Sequence, residues 1–430
     1  MPDKVFFQVD ILCCSGSGHQ QLLIFFYLQT MRIITRTVWI LSMVSLLADI
    51  ASEMLYPVIP VYLKEIGFSV LLIGILEGVV NFTAGISKGY FGKLSDEKGL
   101  RLPFVKLGYF MSALSKPMIA FFTQVSWIFL ARTTDRLGKG IRTAARDALL
   151  SAEATRETKA RVFGFHRSMD TVGAAIGPLV ALFYLAMNPG AYKTLFMLAF
   201  IPGILSVLLI FLLKEKKQPV STLGKGHFFS FLKYWTIASP GFKKIVPALL
   251  LFALFNSSDI FLLLVTKEAI GDQVIQVNGL SFNADSITIA AYVFYNLFYA
   301  AISYPAGMLA DKIGFRYVVI TGMILFAVVY GGFAFNPSIP VIFFLFALYG
   351  FYAAFTEGVI KAWITNLSGS TDTATAIGFY TSGESIAALF ASIIAGAVWT
   401  GFGSAFTFLT TAMIAVMVAL YLLITRKQSV

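Results

Sequence analysis

The sequence predicts an all-α membrane protein with twelve transmembrane helices in two pseudo-symmetric six-helix bundles. Three observations lead there. Of the 430 residues, 58% are hydrophobic and only 13% charged, and the mean hydropathy is +0.80. A water-soluble domain cannot hide that much apolar surface in its core. Apolar runs of about twenty residues, the length that crosses hydrocarbon, recur twelve times between Val38 and Ile424 with short polar breaks between them. The second half of the chain also echoes the first. Runs such as Leu195 to Leu213 are apolar all round, the pattern of a helix in lipid, whereas barrel strands would alternate residue by residue.

In chain order, residues 1–30 come first as a poorly patterned extension. Its apolar run, Leu22 to Leu28, is too brief to span and has no basic flank before it, unlike a signal peptide. The extension is expected to be disordered or dispensable, with Met31, followed by Arg32 and Arg36, as the natural start. Cys13 and Cys14 are adjacent, which excludes a disulfide framework and a metal knuckle. Residues 31–213 make the first bundle. The lysine-rich stretch 214–244, with Gly and Pro, reads as a cytoplasmic linker, and residues 245–430 make the second bundle.

A net charge of +11 raises nucleic acid as a partner, but the charges fall on alternate breaks between spans, a topological pattern rather than a nucleic-acid footprint. One face holds Lys93, Lys98 and Arg101, seven lysines between Lys214 and Lys244, then Lys312, Arg316, Arg426 and Lys427; the other holds Lys64, Lys193, Lys267 and little else. By the positive-inside rule the first face is cytoplasmic, so both termini are expected inside, in a plasma (inner) membrane.

The echo is specific. Gly92, Asp96, Gly99 and Arg101 recur as Gly307, Asp311, Gly314 and Arg316, each 215 positions on. A second pair, "VFGFHRSMD" at Val162 and "AIGFYTSGE" at Ala376, sets Gly164 on Gly378 and Asp170 on Glu384 at an offset of 214. Two offsets so close mark a duplicated bundle. Physically, Gly92 and Gly99 permit close helix approach and a tight turn, while Asp96 can accept from amides at a neighbouring helix N-terminus. Such a contact latches one face; the plainer alternative is that Asp96 caps its own loop.

Placed between spans two and three and again between eight and nine, this pattern resembles the cytoplasmic-loop signature of the major facilitator superfamily, over essentially residues 31–430. Gly164, Gly173, Gly177 and Pro178 in span five are similar to the antiporter motif of its proton-coupled exporters, although Ala181 and Leu182 replace the closing glycines. The span-four run "DRLGKGIRTAARD" and the span-ten "TEG" at Thr356 resemble a prokaryotic branch of the same superfamily. The resemblance implies a latch partner near the start of span eleven, where Asp372 and Thr373 offer capping chemistry. It also implies a cavity lined chiefly by spans one, four, seven and ten.

Span four carries Arg132, Arg136, Lys139, Arg142 and Arg146. A charge at mid-membrane costs roughly 2.5–3.5 kcal/mol, so five facing lipid would cost on the order of 15, more than a typical domain's stability. At 100° per residue they fall with Asp135 inside a sector of about 120°, with Leu137 and Ile141 pointing away. The stripe must face water or carboxylates. Arg142 and Arg146 are expected to snorkel to the cytoplasmic surface, leaving the other three deep. Acids to meet them are Asp49 and Glu53 in span one, Glu77 in span two, Asp170 in span five, Asp259 in span seven, Glu357 in span ten and Glu384 in span eleven; Lys361 adds a base one turn after Glu357.

Asp49 and Glu53, four apart on one face, suit proton coupling, since burial disfavours a bare carboxylate and lets it exchange a proton near neutral pH. Arg136 is expected to modulate them, and Lys139 to attract an anionic substrate. The competing view is that these acids only neutralise the stripe. Gly173, Gly177 and Pro178 have an ordinary packing alternative, or Pro178 a flexing kink. His166 reads as a hydrogen-bonded packing residue, and Tyr292, Tyr295 and Tyr299 as a lipid-facing or core stripe. No nucleotide loop, catalytic triad or metal site is recognisable.

The expectation is a secondary transporter, not an enzyme. It alternates access for a small molecule, uses a proton gradient and no cofactor, exports its substrate, and works as a monomer in the lipid bilayer with no nucleic-acid partner. Uptake or exchange of an anionic metabolite is the alternative. A non-transporting sensor or lipid-modifying enzyme is disfavoured, because no soluble domain is appended and no nucleophile–base pairing appears.

Overall fold

The computed structural model describes residues 33–215, 228–257, 259–271, 275–277, 280–282, 284–335 and 337–425. The expected extension 1–30 with its cysteines, the start at Met31, and residues 216–227 of the linker lie outside the described residues. Two units are distinguished, Met1–Thr35 and Arg36–Val430; the second carries the helical frame.

Span one is broken: α1 (Arg36–Glu53) gives way to turns and resumes as α2 (Ile59–Glu65). Pro57 explains the break, because its ring clashes with the carbonyl four residues back, at Glu53, and it has no N–H to donate. Spans two to six are α3 (Val70–Lys98), α4 (Leu102–Phe121), α5 (Val125–Ala152), α6 (Lys159–Met187) and α7 (Tyr192–Ile210). The Ser69 hydroxyl caps α3 by accepting from the Leu72 amide at 3.2 Å, and Gly99, left-handed at φ 61°, ends it.

After a 3₁₀ turn (Phe228–Lys233) and α8 (Tyr234–Ile237), span seven repeats the break of span one, as α9 (Pro240–Phe255) and α10 (Ile260–Ile270). A two-stranded antiparallel pair, β1 (Ile275–Val277) with β2 (Leu280–Phe282), follows and departs from the all-α expectation. Then come α11 (Ala284–Ile313), α12 (Phe315–Phe333) and α13 (Ile339–Leu367), spans eight to ten. α14 (Thr373–Ile424) holds spans eleven and twelve, divided at Gly403, whose φ of 86° no helix tolerates.

Among the described residues, six helices, α6, α7 and α11 to α14, are long and apolar enough to cross a membrane by length and composition. Spans one and seven are split, and α4 and α5 carry charges that packing shelters.

The repeat governs the packing. α3 lies along α14 and α6 along α11, joining one bundle to the other. A Cβ at Gly92 would strike the Ala374 carbonyl and one at Gly307 the Ala160 carbonyl; Gly164 abuts Ser303 and Gly378 abuts Lys88 in the same way. Each contact recurs at the repeat offset. Ser168 and Ser382 do likewise, donating to the carbonyls of Ala300 (2.5 Å) and Gly85 (2.7 Å). Gly173 and Gly177 of α6 instead seat α1, against the carbonyls of Leu46 and Ile50. Gly173 and Gly177 of the antiporter-like motif thus pack within the first bundle, and Gly164 alone of its glycines faces the second bundle.

Candidate functional site

Between the bundles lies a cavity of about 250 Å³. The first bundle supplies a charged wall, with Asp49 from α1, Lys88 from α3, Lys139, Arg142 and Arg146 from α5, and Arg167 and Asp170 from α6. The second bundle supplies Phe252 and Asn256 from α9, Tyr352, Glu357 and Lys361 from α13, and Tyr380 and Glu384 from α14. The lining therefore draws on spans two, five and eleven as well as one, four, seven and ten, wider than the resemblance implied.

Most of these charges are paired. Asp147, fully buried beneath the cavity, takes Arg146 on Oδ1 at 2.9 Å and Lys361 on Oδ2 at 3.1 Å. Asp147 and Lys361 stand 214 positions apart, so they are repeat mates that meet across the pseudo-twofold. Arg167 Nη2 reaches Glu357 at 2.5 Å and Nη1 reaches Asp170 at 3.5 Å, while its Nε donates to the Tyr299 hydroxyl. Tyr380 donates to Glu384 at 3.2 Å. No hydrogen bond or ion pair is described for Asp49; Lys139 stands within its electrostatic reach.

Several expectations are corrected here. Arg142 and Arg146 do not snorkel: both are buried. Arg142 donates to Ser112 Oγ at 2.6 Å and lies 4.2 Å from the centre of the Tyr109 ring, and Arg146 donates to Ser45 Oγ at 2.9 Å. Neutralising partners inside the bundle cost less than stretching two guanidinium groups past a closed face.

Arg132, Asp135 and Arg136 are deep but do not line the cavity. Asp135 is paired with Lys116 of α4 at 2.6 Å, and Arg136 Nε is buried without a hydrogen-bond partner. Glu53 lies one turn beyond Asp49, off the lining, and the side chain of Glu77 lies outside the described residues. Asp259 is also off the lining, accepting from Tyr349 at 2.7 Å. His166 is buried, but neither ring nitrogen has a hydrogen-bond partner; it stands 3.8 Å from Asp170. Tyr295 and Tyr299 are buried, and Tyr299 serves Arg167.

Lys88 and Arg167 on the cavity wall, and Asp147 beneath it, are charges absent from the residues singled out in the sequence. A signal existed: Arg167 lies inside the repeated "GFHRSMD", and Asp147 is repeat-related to Lys361.

Beyond the cavity, one face is closed by two latches. Asp96 Oδ2 accepts from the amide and hydroxyl of Thr375 at 2.7 and 3.0 Å, in the first turn of α14. Asp311 accepts from the amides of Ala160 (2.9 Å) and Arg161 (3.0 Å), in the first turn of α6. Each carboxylate caps the helix N-terminus of the opposite bundle, where orphan amides and the helix dipole favour negative charge. The partner helix of Asp96 is the expected one, but the donors are on Thr375; Asp372 accepts from Thr371 instead. Gly314, at φ 100°, makes the turn after Asp311. Hydrogen bonds described between the bundles run from the cavity wall, at Arg167 and Glu357, through Gly85 and Ala300 to the latches.

Two duplicated lobes around a charged central cavity, shut at one face by capped helices, define a membrane transporter rather than an enzyme. The Major Facilitator Superfamily model matches residues 41–277 and 249–430. The uncharacterized MFS-type transporter MJ1317 of Methanocaldococcus jannaschii is 32% identical over 401 residues, covering 91% of this chain and 95% of that protein. The chain belongs to the Major Facilitator Superfamily.

The quinolone resistance protein NorA of Staphylococcus aureus is 25% identical over 168 residues, 39% of this chain and 42% of its own length. Among solved structures, the human organic anion transporter MFSD10 (TETRAN) matches with a TM-score of 0.74 at 16% identity, covering 90% of this chain and 99% of that one. The E. coli fucose:proton symporter FucP matches at 0.72 and 13%, covering 91% and 98%. These two share the fold.

Proposed function

We propose that this transporter works by alternating access, exporting a small molecule in exchange for protons through the central cavity. It does so as a monomer in the inner membrane, with the lysine-rich latched face cytoplasmic. The observation that carries the reading is Asp49. It is the lining acid for which no hydrogen bond or ion pair is described, while Asp170 and Glu357 are ion-paired with Arg167 and Glu384 accepts from the neutral Tyr380 hydroxyl. An ion-paired carboxylate stays ionised, because protonating it would strand its cation; a carboxylate in a secluded cavity with no described cation is free to take a proton, and Asp49 also lacks the hydroxyl that Glu384 has.

Protonating Asp49 adds one unit of positive charge to the lining beside Lys139, changing its attraction for a charged cargo, which is the coupling the cycle needs. Glu53, one turn outward on the same helix, is placed to hand the proton on, and Arg136 sets the local field. The latched state supports access from the opposite face, and the likeness to NorA supports export.

The test is pH-driven flux in proteoliposomes. Asp49→Asn is expected to abolish it with thermal stability retained, and transport that persists unchanged in Asp49→Asn and Glu53→Gln refutes the proton assignment.

A second reading, uptake or exchange of an anionic metabolite, is favoured by a different observation: the lining carries six cationic side chains against four acidic ones. The direction of gradient that drives accumulation separates the two.

A further inference from the structure

At the latched face of the second bundle a separate cleft of about 700 Å³ opens among the ends of α9, α11, α12, α13 and α14. Its walls are apolar, with Ile245, Phe315, Trp363 and Leu422. Three cations border it: Lys244, Arg316 and, from the other bundle, Arg156. No Asp or Glu is among the lining residues. Arg316 is held at the rim by a 2.6 Å hydrogen bond from Nη2 to the Leu423 carbonyl.

The repeat supplies a comparison. In the first bundle, Glu215 fills the corresponding place, its carboxylate accepting from the amides of Arg101 (2.9 Å) and Leu102 (2.7 Å) at the start of α4. The repeat-related amides belong to Arg316 and Tyr317, at the start of α12, and both residues line the open cleft. The N-cap of α12, Gly314, has no side chain to cap them. One bundle therefore brings its own anion to this position; among the described residues the other offers the same helix N-terminus and dipole, two cations of its own with Arg156 from across the interface, and an apolar pocket.

We propose that this cleft binds the headgroup of an anionic phospholipid of the inner leaflet, with the phosphate at the start of α12 and the upper acyl chain against Phe315, Trp363 and Leu422. Free phosphate would gain nothing from those walls, and the helix ends that form the cleft lie where headgroups lie. Asn366 adds a buried acceptor, Oδ1, without a hydrogen-bond partner, which suits a hydroxyl-bearing headgroup such as that of phosphatidylglycerol.

The experiment is equilibrium binding of fluorescent phosphatidylglycerol to the full chain in neutral detergent. Lys244→Gln, Arg316→Gln and Arg156→Gln are each expected to weaken binding about fivefold. The charge-matched controls, Lys98→Gln and Lys106→Gln made singly on the first bundle, are each expected to stay within about twofold. Thr425→Glu, which puts a carboxylate in the cleft as Glu215 does in the other bundle, is expected to displace the lipid. Equal weakening by the controls would reduce the effect to general surface charge and overturn the site. So would unchanged binding in Thr425→Glu. Competition by glycerol phosphate as effective as by the lipid would overturn the lipid assignment in favour of a soluble anion.

Discussion

Asp96 and Asp311 occupy equivalent places in the two bundles, and each closes on two donors at the start of the opposite bundle's helix. Their arginines differ. At the first latch Arg101, from the loop of the same bundle, grips Asp96 at 3.2 Å and also reaches the carbonyls of Ala148 (3.2 Å) and Ser370 (3.4 Å). At the second, Arg316 has turned away to Leu423, and Asp311 is met by Arg161 of the opposite bundle at 3.3 Å. The Arg101 side chain is 4% exposed, whereas the Arg161 side chain is 24% exposed. What duplication kept is the backbone plan, a carboxylate on a helix N-terminus. What it left free is the cation, because several positions around each carboxylate can supply one.

The comparison breaks first at Asp96. Asp96→Asn removes the charge and leaves buried Arg101 without its carboxylate, a loss of about 3 kcal/mol, or roughly a hundredfold shift toward the state open at the latched face. The readout is impermeant-maleimide labelling, from that face, of a reporter cysteine replacing Thr143 in a Cys13→Ser, Cys14→Ser chain. Unchanged labelling would refute the latch. Asp311→Asn is expected to shift the same readout in the same direction by about 1–2 kcal/mol, near tenfold, because its arginine is better solvated.

Smaller effects sharpen the contrast. Glu215→Gln weakens the cap of α4 and is expected to lower stability by about 0.5–1 kcal/mol, seen as a small fall in melting temperature without increased labelling. Arg316→Ala is expected to leave labelling within about twofold of wild type, since Arg316 makes no described contact with Asp311. A large effect there would mean that the second latch is built like the first.

The closed face was legible early, because a spacing repeated at 215 positions carries its geometry with it. Gly92 and Asp96 told where two helices approach and which carboxylate closes them. The cavity was legible only in part. Helical periodicity correctly put the span-four cations on one face, but it could not say which of them end in a serine, a tyrosine ring or a carboxylate. Arg142 and Arg146 are deep because Ser112, Ser45 and Asp147 receive them. Arg136, equally basic, lines nothing.

By itself the sequence determined a helical membrane protein and its duplication, with a carboxylate repeated at equivalent loops; hydropathy, charge asymmetry and the repeat are properties of the chain and survive any packing. Only the tertiary structure decided that Asp96 and Asp311 cap across the bundles, that Lys361 answers Asp147, that Arg167 bridges the bundles, and that Asp49 has no described partner. Those outcomes depend on how far each helix is rotated about its axis against its neighbours. That rotation is set by close contacts such as Gly164 on Ser303 and Gly173 on Leu46, which no single helix encodes alone.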